Sequence, residues 1–206
     1  MTTDGEKPAE KQTYLQKKSR VFRPAFRLSI AALAGLGLIA GVLFLAGFNW
    51  TLEATNTEAF CVSCHEMRDN PYKNLKETIH WSNRTGVRAT CPDCHVPKNW
   101  FFKIRRKIEA SNELYHHFIL GTVDTPEKFE AEKLTLATRV WATMKSTDSR
   151  ECRNCHHMDS MDFEKQSRPA QKRHRAAIEK GLTCIDCHKG IAHHLPKGYE
   201  ESSDTD

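Results

Sequence analysis

Apolar residues are distributed very unevenly along this chain. No charged residue occurs between Leu28 and Leu52, and a stretch of this length can cross a bilayer as a helix. The rest of the chain is poor in the aliphatic residues that fill an ordinary core, which indicates that something other than side chains occupies its interior. Residues 197–206 are polar and acidic, and we predict a disordered tail there.

Two stretches beyond the apolar segment show helical periodicity, and strand signals are absent. Residues 126–146 open with a proline directly after Thr125, which can serve as an N-cap, and they carry apolar residues mostly at helical spacing. The stretch that begins at Trp100 puts aromatic and isoleucine residues on one face and basic residues on the others. The pattern predicts a mainly α protein without significant sheet, in which one N-terminal transmembrane helix carries a small helix-and-loop domain.

The flanks of the apolar segment predict its orientation. Five basic residues closely precede it, and Trp50, a residue suited to the membrane interface, lies near its end. The positive-inside rule therefore places residues 1–27 in the cytoplasm, residues 28–50 in the membrane as an anchor, and residues 51–196 outside. A cleaved signal peptide would have a shorter apolar region and a small-x-small cleavage site, which residues 49–52 do not offer.

Cysteine usage indicates what fills the interior. All eight cysteines fall in four Cys-x-x-Cys pairs, and a histidine follows each pair at once. This is the attachment signature of c-type haem, in which two thioether bonds fix the porphyrin and the adjacent imidazole becomes an axial iron ligand. Structural zinc also uses paired cysteines, but it gives no reason for a histidine after each pair. We therefore predict four haem c groups, held by Cys61, Cys64 and His65; Cys91, Cys94 and His95; Cys152, Cys155 and His156; and Cys184, Cys187 and His188.

The distribution of charge argues against nucleic acid as a partner. The net charge is +5, and residues 1–27 contribute +4 of it from seven basic and three acidic side chains. The outer part is nearly balanced, with both signs mixed along it, which is typical of a solvated surface and not of a phosphate-binding stripe. Because bacteria attach haem c outside the cytoplasmic membrane, we predict a single-pass inner-membrane protein with a periplasmic haem domain.

The four motifs form two similar pairs. The first cysteines of the two motifs lie 30 residues apart in the first half and 32 apart in the second. Motifs one and three continue as CHEM and CHHM, while motifs two and four read TCPDCH and TCIDCH. One isolated histidine lies between the motifs of each half. This pattern indicates two duplicated dihaem modules, about residues 57–120 and 148–196, joined by the helical stretch 126–146.

Each low-spin iron needs a second axial ligand besides its motif histidine. Bis-histidine ligation gives the low potential that suits a relay, so the seven remaining histidines are the first candidates. Met67, two residues after His65, could itself reach the first iron. The favoured second ligands are His80, His174 and one of His193 and His194. The residues interpreted as ordinary polar side chains are His116, His117 and His157.

The helix predicted from Trp100 also carries groups suited to a quinol. A quinol releases two electrons and two protons, so its site requires a haem edge, a titratable group and access from the lipid. A basic helix with an aromatic face suits the membrane–water boundary, although a helix packed on a haem would show the same pattern. Lys107 and Glu113 lie on this stretch, and either could bind or deprotonate a quinol head group.

One N-terminal span followed by four Cys-x-x-Cys-His motifs at these spacings resembles the NapC/NirT family of membrane tetrahaem cytochromes. The segments CVSCHEMRDN, ATCPDCHVP, DTPEKFEA, SRECRNCH and TCIDCHKGIAH carry the resemblance, which covers nearly the whole chain beyond residue 20. It implies a protein that oxidises membrane quinol and passes electrons to periplasmic reductases, most often of nitrate or nitrite. It also implies second iron ligands at His80, His174 and His193, and a quinol site at Lys107 and Glu113.

The resemblance leaves the branch of the family open. In the branch that serves ammonia-forming nitrite reductase, a methionine holds the first haem, which here implies Met67 in place of His65. Members that serve nitrate reductase usually have a histidine three residues after motif two, where this chain has Lys98. One of the four second ligands is therefore not assigned, and the haem that each of the other three serves stays open.

We expect a quinol-fed electron relay to a periplasmic reductase or its cytochrome subunit, with nitrate reductase first and a nitrite or other reductase as the alternative. The quinol can be menaquinol or ubiquinol, and the chain can form a homodimer. A terminal multihaem reductase is a distant alternative, since it needs an open iron position and the spare histidines argue against one. Zinc ribbons on a membrane stalk are a third hypothesis, which requires a colourless protein.

Overall fold

The computed structural model of the chain describes residues 8–200, with side chains from residue 29 onward. Backbone contacts divide the chain into two compact units, Met1–Ala54 and Thr55–Asp206. The first unit carries the predicted anchor, and the second carries all four haem motifs. Residues 1–7 and 201–206, which include most of the predicted tail, lie outside the described residues.

Helix α1 (Pro8–Ala54) forms the first unit and is 47 residues long. Its segment Ser29–Ala54 has a mean hydropathy of 2.4, and by length and composition it is the one helix among the described residues that could cross a membrane. Most of its large apolar side chains are exposed, for example Leu33 at 69%. An apolar surface of this size is typical of lipid contact. The span ends four residues beyond the predicted anchor, 28–50.

The second unit consists of short helices joined by loops, and its described residues contain no strand, which confirms the predicted mainly α fold. Its helices are α2 (Glu58–Cys61), α3 (His65–Asp69), α4 (Pro71–Lys76), α5 (Cys91–His95), α6 (Trp100–Tyr115), α7 (Pro126–Ser146), α8 (Arg150–Arg153), α9 (Arg168–Glu179) and α10 (Cys184–Cys187). The remaining helical turns are a π-helical turn, His116–Leu120, and two 3-10 turns, Met158–Ser160 and Phe163–Lys165.

Both helices predicted from periodicity are present. α7 has the predicted bounds, and Thr125 caps it as expected, because its hydroxyl accepts the Lys128 N–H at 3.3 Å. α6 begins at Trp100, where the Asn99 side chain accepts the Phe101 N–H at 3.1 Å. Local sequence signals therefore suffice to start the two longest helices of this unit.

The second unit has almost no apolar core. Among its described residues, the buried apolar side chains are Leu75, Phe129 and Ile185 alone. A domain of this size normally buries most of the surface that its unfolded chain exposes, and does so with many apolar side chains. This confirms the expectation that side chains do not fill the interior.

The shared sequence Thr-Cys-x-Asp-Cys-His of motifs two and four has a local structural reason. Thr90 and Asp93 form a capping box at α5, in which the N–H and Oγ1 of Thr90 donate to Asp93 Oδ2 at 2.8 and 2.6 Å. Thr183 and Asp186 form the same box at α10, with both distances 2.9 Å. Each box fixes the first turn of a helix that carries two cysteines.

A buried serine joins motifs three and four. Asp148 and Ser149 have φ angles of 52° and 48°, in the left-handed region that residues other than glycine seldom adopt. The Ser149 side chain is fully buried, and its Oγ accepts the N–H of the buried Ile185 at 3.1 Å. This bond ties the residue before α8 to α10, so the strained turn serves to align two attachment motifs.

Replacing Ser149 by alanine is expected to lower the free energy of unfolding by about 1–3 kcal/mol, because the buried Ile185 N–H then has no acceptor. Ser146→Ala, at an exposed position of α7, is the matched control, with an expected change within about 0.5 kcal/mol. Circular dichroism of the detergent-solubilised, haem-loaded protein against denaturant concentration measures both. Equal shifts for the two variants would contradict the role assigned to Ser149.

Candidate haem and quinol sites

All eight cysteines line one large cavity in the second unit. Its volume is about 2800 Å³, or about 700 Å³ for each of four groups, within the range of roughly 300–1,000 Å³ that is usual for one bound ligand. None of the eight cysteines forms a disulfide among the described residues, so each thiol is available for a thioether bond. The cavity and its thiols therefore fit four covalently attached porphyrins.

The four motifs follow one another in space in the order of the sequence. Helix α2, which ends at Cys61 of motif one, packs against α5 of motif two. Helix α5 of motif two packs against α8 of motif three, and the Ser149 bond joins motif three to motif four. The attachment sites thus form a continuous row.

Each motif histidine faces a second histidine from elsewhere in the chain. An iron between two imidazoles, with a bond of about 2 Å to each, gives a separation of ring centroids of roughly 6 Å. All four pairs have this spacing. The pairs are His65–His117 at 6.1 Å, His80–His156 at 6.2 Å, His95–His193 at 6.1 Å and His174–His188 at 5.8 Å.

Three of the four partners are histidines favoured from the sequence. The structure brings His80 to motif three, His193 to motif two and His174 to motif four. It also separates His193 from its neighbour His194, whose Nε2 lies 3.1 Å from Glu77 Oε2 with both side chains exposed. That these histidines bind iron stays a prediction, and their positions agree with it.

The fourth partner, His117, has no distinguishing signal in the sequence. Its interpretation as an ordinary polar residue does not account for its position beside His65. His117 lies in the π-helical turn that extends α6, and such wide turns are frequent at functional sites. Its neighbour His116 is held instead by Thr122, with Nδ1 3.0 Å from Oγ1. Sequence spacing alone does not reveal which of the two adjacent rings meets motif one.

Two of the four pairs join the two halves of the sequence. His80 of the first half meets motif three, and His193 of the second half meets motif two. His174, the residue that corresponds to His80 in the proposed duplication, instead meets the motif that follows it in its own half. Histidine pairs therefore link the two predicted dihaem modules in the fold.

Motif one has two candidates for its first ligand. Met67 lines the cavity and is 42% exposed, whereas His65 and His117 lie outside the cavity lining. The His65–His117 pair has the spacing of the other three pairs, which favours these two imidazoles over the thioether of Met67.

Desolvation keeps several of these imidazoles neutral. It lowers the pKa of His95 to about 4, and it also lowers the pKa of His193 and of His188. A neutral imidazole is the form that binds a metal. Lowered pKa values therefore favour the neutral, metal-binding form of these three imidazole rings.

Lys107, one of the two predicted quinol-site residues, lies beside motif one. Its Nζ donates to the carbonyl oxygen and to Oγ1 of Thr55 at 2.8 and 3.0 Å, and it lies 5.9 Å from the centroid of the Phe60 ring. Phe60 directly precedes Cys61. Lys107, Thr55, Phe60 and Cys61 all line the cavity, so an ammonium group stands at the edge of the first attachment site.

Glu113, the other predicted quinol-site residue, also lines the cavity but faces a different direction. Six residues along an α-helix correspond to about 9 Å of rise and about 120° of rotation. The Glu113 carboxylate accepts a hydrogen bond from Arg106 at 2.7 Å and is 59% exposed. The structure therefore places Lys107 and Glu113 on one helix, with Glu113 nearer to solvent.

Helix α6 and the π-helical turn expose an apolar surface that does not line the cavity. On α6 it falls within a sector of about 100°. Exposure of these side chains ranges from 48% to 69%, and a porphyrin in the cavity would not cover them. A patch of this kind indicates a contact with protein or membrane. Its members are Trp100, Phe101, Ile108, Tyr115, Phe118, Ile119 and Leu120.

Comparison with known proteins shows the family of the chain. The chain matches the model of the NapC/NirT cytochrome c family, N-terminal region, over residues 23–198. It is 59% identical over 182 residues to the denitrification system component NirT of Stutzerimonas stutzeri, which covers 88% of this chain and 90% of that protein. No solved structure matches the chain.

Two cytochrome c-type proteins NapC are also similar. The protein from Paracoccus pantotrophus is 56% identical over 177 residues, 85% of this chain and 74% of its own length. The protein from Escherichia coli K12 is 51% identical over 175 residues, 85% of this chain and 87% of its own length.

The family match includes the apolar helix and all four attachment motifs. The helix makes the protein a single-pass protein of the inner membrane, and the motifs make it a carrier of haem c. The chain therefore belongs to the NapC/NirT cytochrome c family, as a membrane-anchored multihaem protein of electron transport.

Proposed function

We propose that this protein oxidises membrane quinol and relays the electrons through four haem c groups to a periplasmic reductase. The observation that carries the proposal is the set of four histidine pairs, equally spaced, around a row of four attachment motifs. A row supports transfer from one end of the domain to the other. Because every motif histidine has a partner, the arrangement favours a relay over a terminal reductase with an open iron position.

The chain's own part in the relay is to attach, orient and shield the cofactors. The eight cysteines would hold the porphyrins, and the four histidine pairs would supply imidazole ligands to the irons. Each bound haem c takes up and releases one electron at a potential set by its ligands and surroundings. A pair of neutral imidazoles at each iron would exclude other ligands from it.

His193→Ala is expected to convert one of the four low-spin haems to high spin, since the iron at motif two then lacks its second imidazole. His194→Ala, the same substitution one residue away, should leave all four low-spin, because His194 pairs with Glu77 at the surface. Electron paramagnetic resonance spectra of the oxidised proteins measure the spin states. Identical spectra for the two variants would remove His193 from the ligand set.

We place the quinol head group beside Lys107. Its ammonium group and the Thr55 hydroxyl can donate to a quinol oxygen, and the Phe60 ring next to Cys61 offers an apolar surface for the quinol ring. Glu113 lies one and two-thirds turns further along α6 and serves as the acceptor of a released proton. Its exposed carboxylate can pass that proton to solvent. Each quinol gives up two protons and two electrons, so one turnover requires two one-electron transfers.

Access from the lipid is supported by two features of the second unit. Thr55, which binds Lys107, is the first residue after helix α1 in the chain. The exposed apolar surface of α6 carries aromatic residues, and basic residues such as Lys103 flank it. Aromatic and basic side chains together are typical of the membrane–water interface. We infer that this surface rests on the outer leaflet, with residues 1–27 cytoplasmic and the haem domain periplasmic.

Lys107→Gln is expected to slow haem reduction by quinol at least about tenfold, because the head group then lacks a charged donor. Arg105→Gln removes the same charge from the opposite side of α6, where Arg105 pairs with Glu109, and should have little effect. Stopped-flow reduction by menaquinol and ubiquinol analogues measures the rates, and reduction by dithionite should be equal in all variants. An unchanged rate in Lys107→Gln would remove the quinol site from this position.

We infer that the electron acceptor is a periplasmic reductase or its cytochrome subunit, with nitrate reductase ahead of nitrite reductase. Two similar proteins bear the name NapC and one is named as a component of a denitrification system. The protein reduced by quinol is therefore expected to be reoxidised faster by a periplasmic nitrate reductase complex than by a nitrite reductase. Loss of the reduced haem bands after mixing measures this. Faster reoxidation by the nitrite reductase would indicate instead that the protein serves a nitrite reductase.

A further inference from the structure

Three of the four proposed second-ligand histidines have a protein oxygen close to Nδ1, and the three oxygens differ in chemical kind. A contact at Nδ1 leaves Nε2 for the iron and fixes the orientation of the ring. One oxygen belongs to a carboxylate, one to a side-chain amide and one to the backbone. The contacts are His117 Nδ1 to Glu66 Oε1 at 2.5 Å, His174 Nδ1 to Gln166 Oε1 at 2.7 Å, and His193 Nδ1 to the Pro71 carbonyl oxygen at 3.1 Å.

Glu66 is one of the few buried charged residues of the second unit. Its exposure is 4%, and neither of its carboxylate oxygens makes a hydrogen bond among the described residues. Oε1 lies 3.5 Å from His65 Nε2 as well as 2.5 Å from His117 Nδ1, so the carboxylate adjoins both rings of the first pair. Burying a carboxylate is costly unless a nearby group compensates it, and the closest ring nitrogen here is Nδ1 of His117. The Glu66 carboxylate is therefore placed where its charge can affect the His117 ring.

We propose that Glu66 is a positioning residue that holds His117 and makes the iron of the first pair the lowest in reduction potential of the four. A charged acceptor at Nδ1 makes the imidazole a stronger donor to the metal, which stabilises the oxidised iron. The amide of Gln166 and the carbonyl of Pro71 carry no charge and have a weaker effect. His80 Nδ1 is buried and has no hydrogen-bond partner in the described part of the chain. The inference rests on the proposed ligation by His65 and His117.

Redox titration of the full-length, haem-loaded protein tests this, with electron paramagnetic resonance following the four low-spin signals. In Glu66→Gln, one signal should titrate at a higher potential. At a fixed potential, the ratio of reduced to oxidised haem at that site should rise about tenfold, the lower end of effects from such outer partners, or about 59 mV for one electron. The reciprocal variant, Gln166→Glu, places a carboxylate on His174 and should lower the potential of a different signal.

Asp69→Asn is the matched control for charge. It removes a carboxylate from the same helix, α3, where Asp69 is exposed and pairs with Arg68. Because Asp69 contacts no ligand imidazole in the described structure, none of the four signals should shift by a comparable amount. An equal shift in reduction potential in Asp69→Asn and Glu66→Gln would show that any nearby charge has this effect. It would overturn the role proposed for Glu66.

His117→Ala separates the inference from the ligation on which it rests. Conversion of one haem to high spin in this variant supports ligation by His117. With that conversion observed, unchanged potentials in Glu66→Gln would overturn the inference alone. Four low-spin haems in His117→Ala would instead show that the first iron has another ligand, such as Met67, and both ideas would fail together. Chemical mediators set the potential in these titrations, so the outcome does not depend on the quinol site.

Discussion

Four pairs of imidazoles face one another at about 6 Å, three of them in the lining of one cavity, and they set the main constraint on how the second unit folds. Most of its helices have four to six residues, too short to be stable alone. Its buried apolar residues are few. The architecture is therefore that of a cage, in which we expect bonds to haem to supply the stabilisation that an apolar core gives to other domains.

Local contacts and long-range contacts make different contributions to this cage. The two capping boxes fix the attachment turns of motifs two and four within a few residues of sequence. The pairs His80–His156 and His95–His193 then tie one half of the chain to the other. Because these pairs cross between the halves, the second unit forms one interdependent structure even if its sequence arose by duplication.

Helix α6 connects three requirements of a membrane electron relay. Its outer face is apolar and aromatic, its Lys107 stands beside motif one, and the π-helical turn that extends it presents His117 to His65. In a regular α-helix His117 would point in a different direction. The π-helical turn therefore affects where its ring lies relative to His65. Glu66 places a buried carboxylate beside these two rings, which is the basis of the role proposed for it.

Features that depend on near neighbours in the chain can be predicted from the amino-acid sequence. The span, the four attachment motifs, the bounds of α7 and the absence of sheet signals all follow from short patterns, and the described structure agrees with them. Which residues contact each other across long distances in the sequence depends on the tertiary structure. His117 in preference to His116, the crossing of the pairs between the halves, and the bond from Lys107 to Thr55 join residues brought together only by folding. No local pattern encodes such contacts, because they depend on where every intervening turn directs the chain.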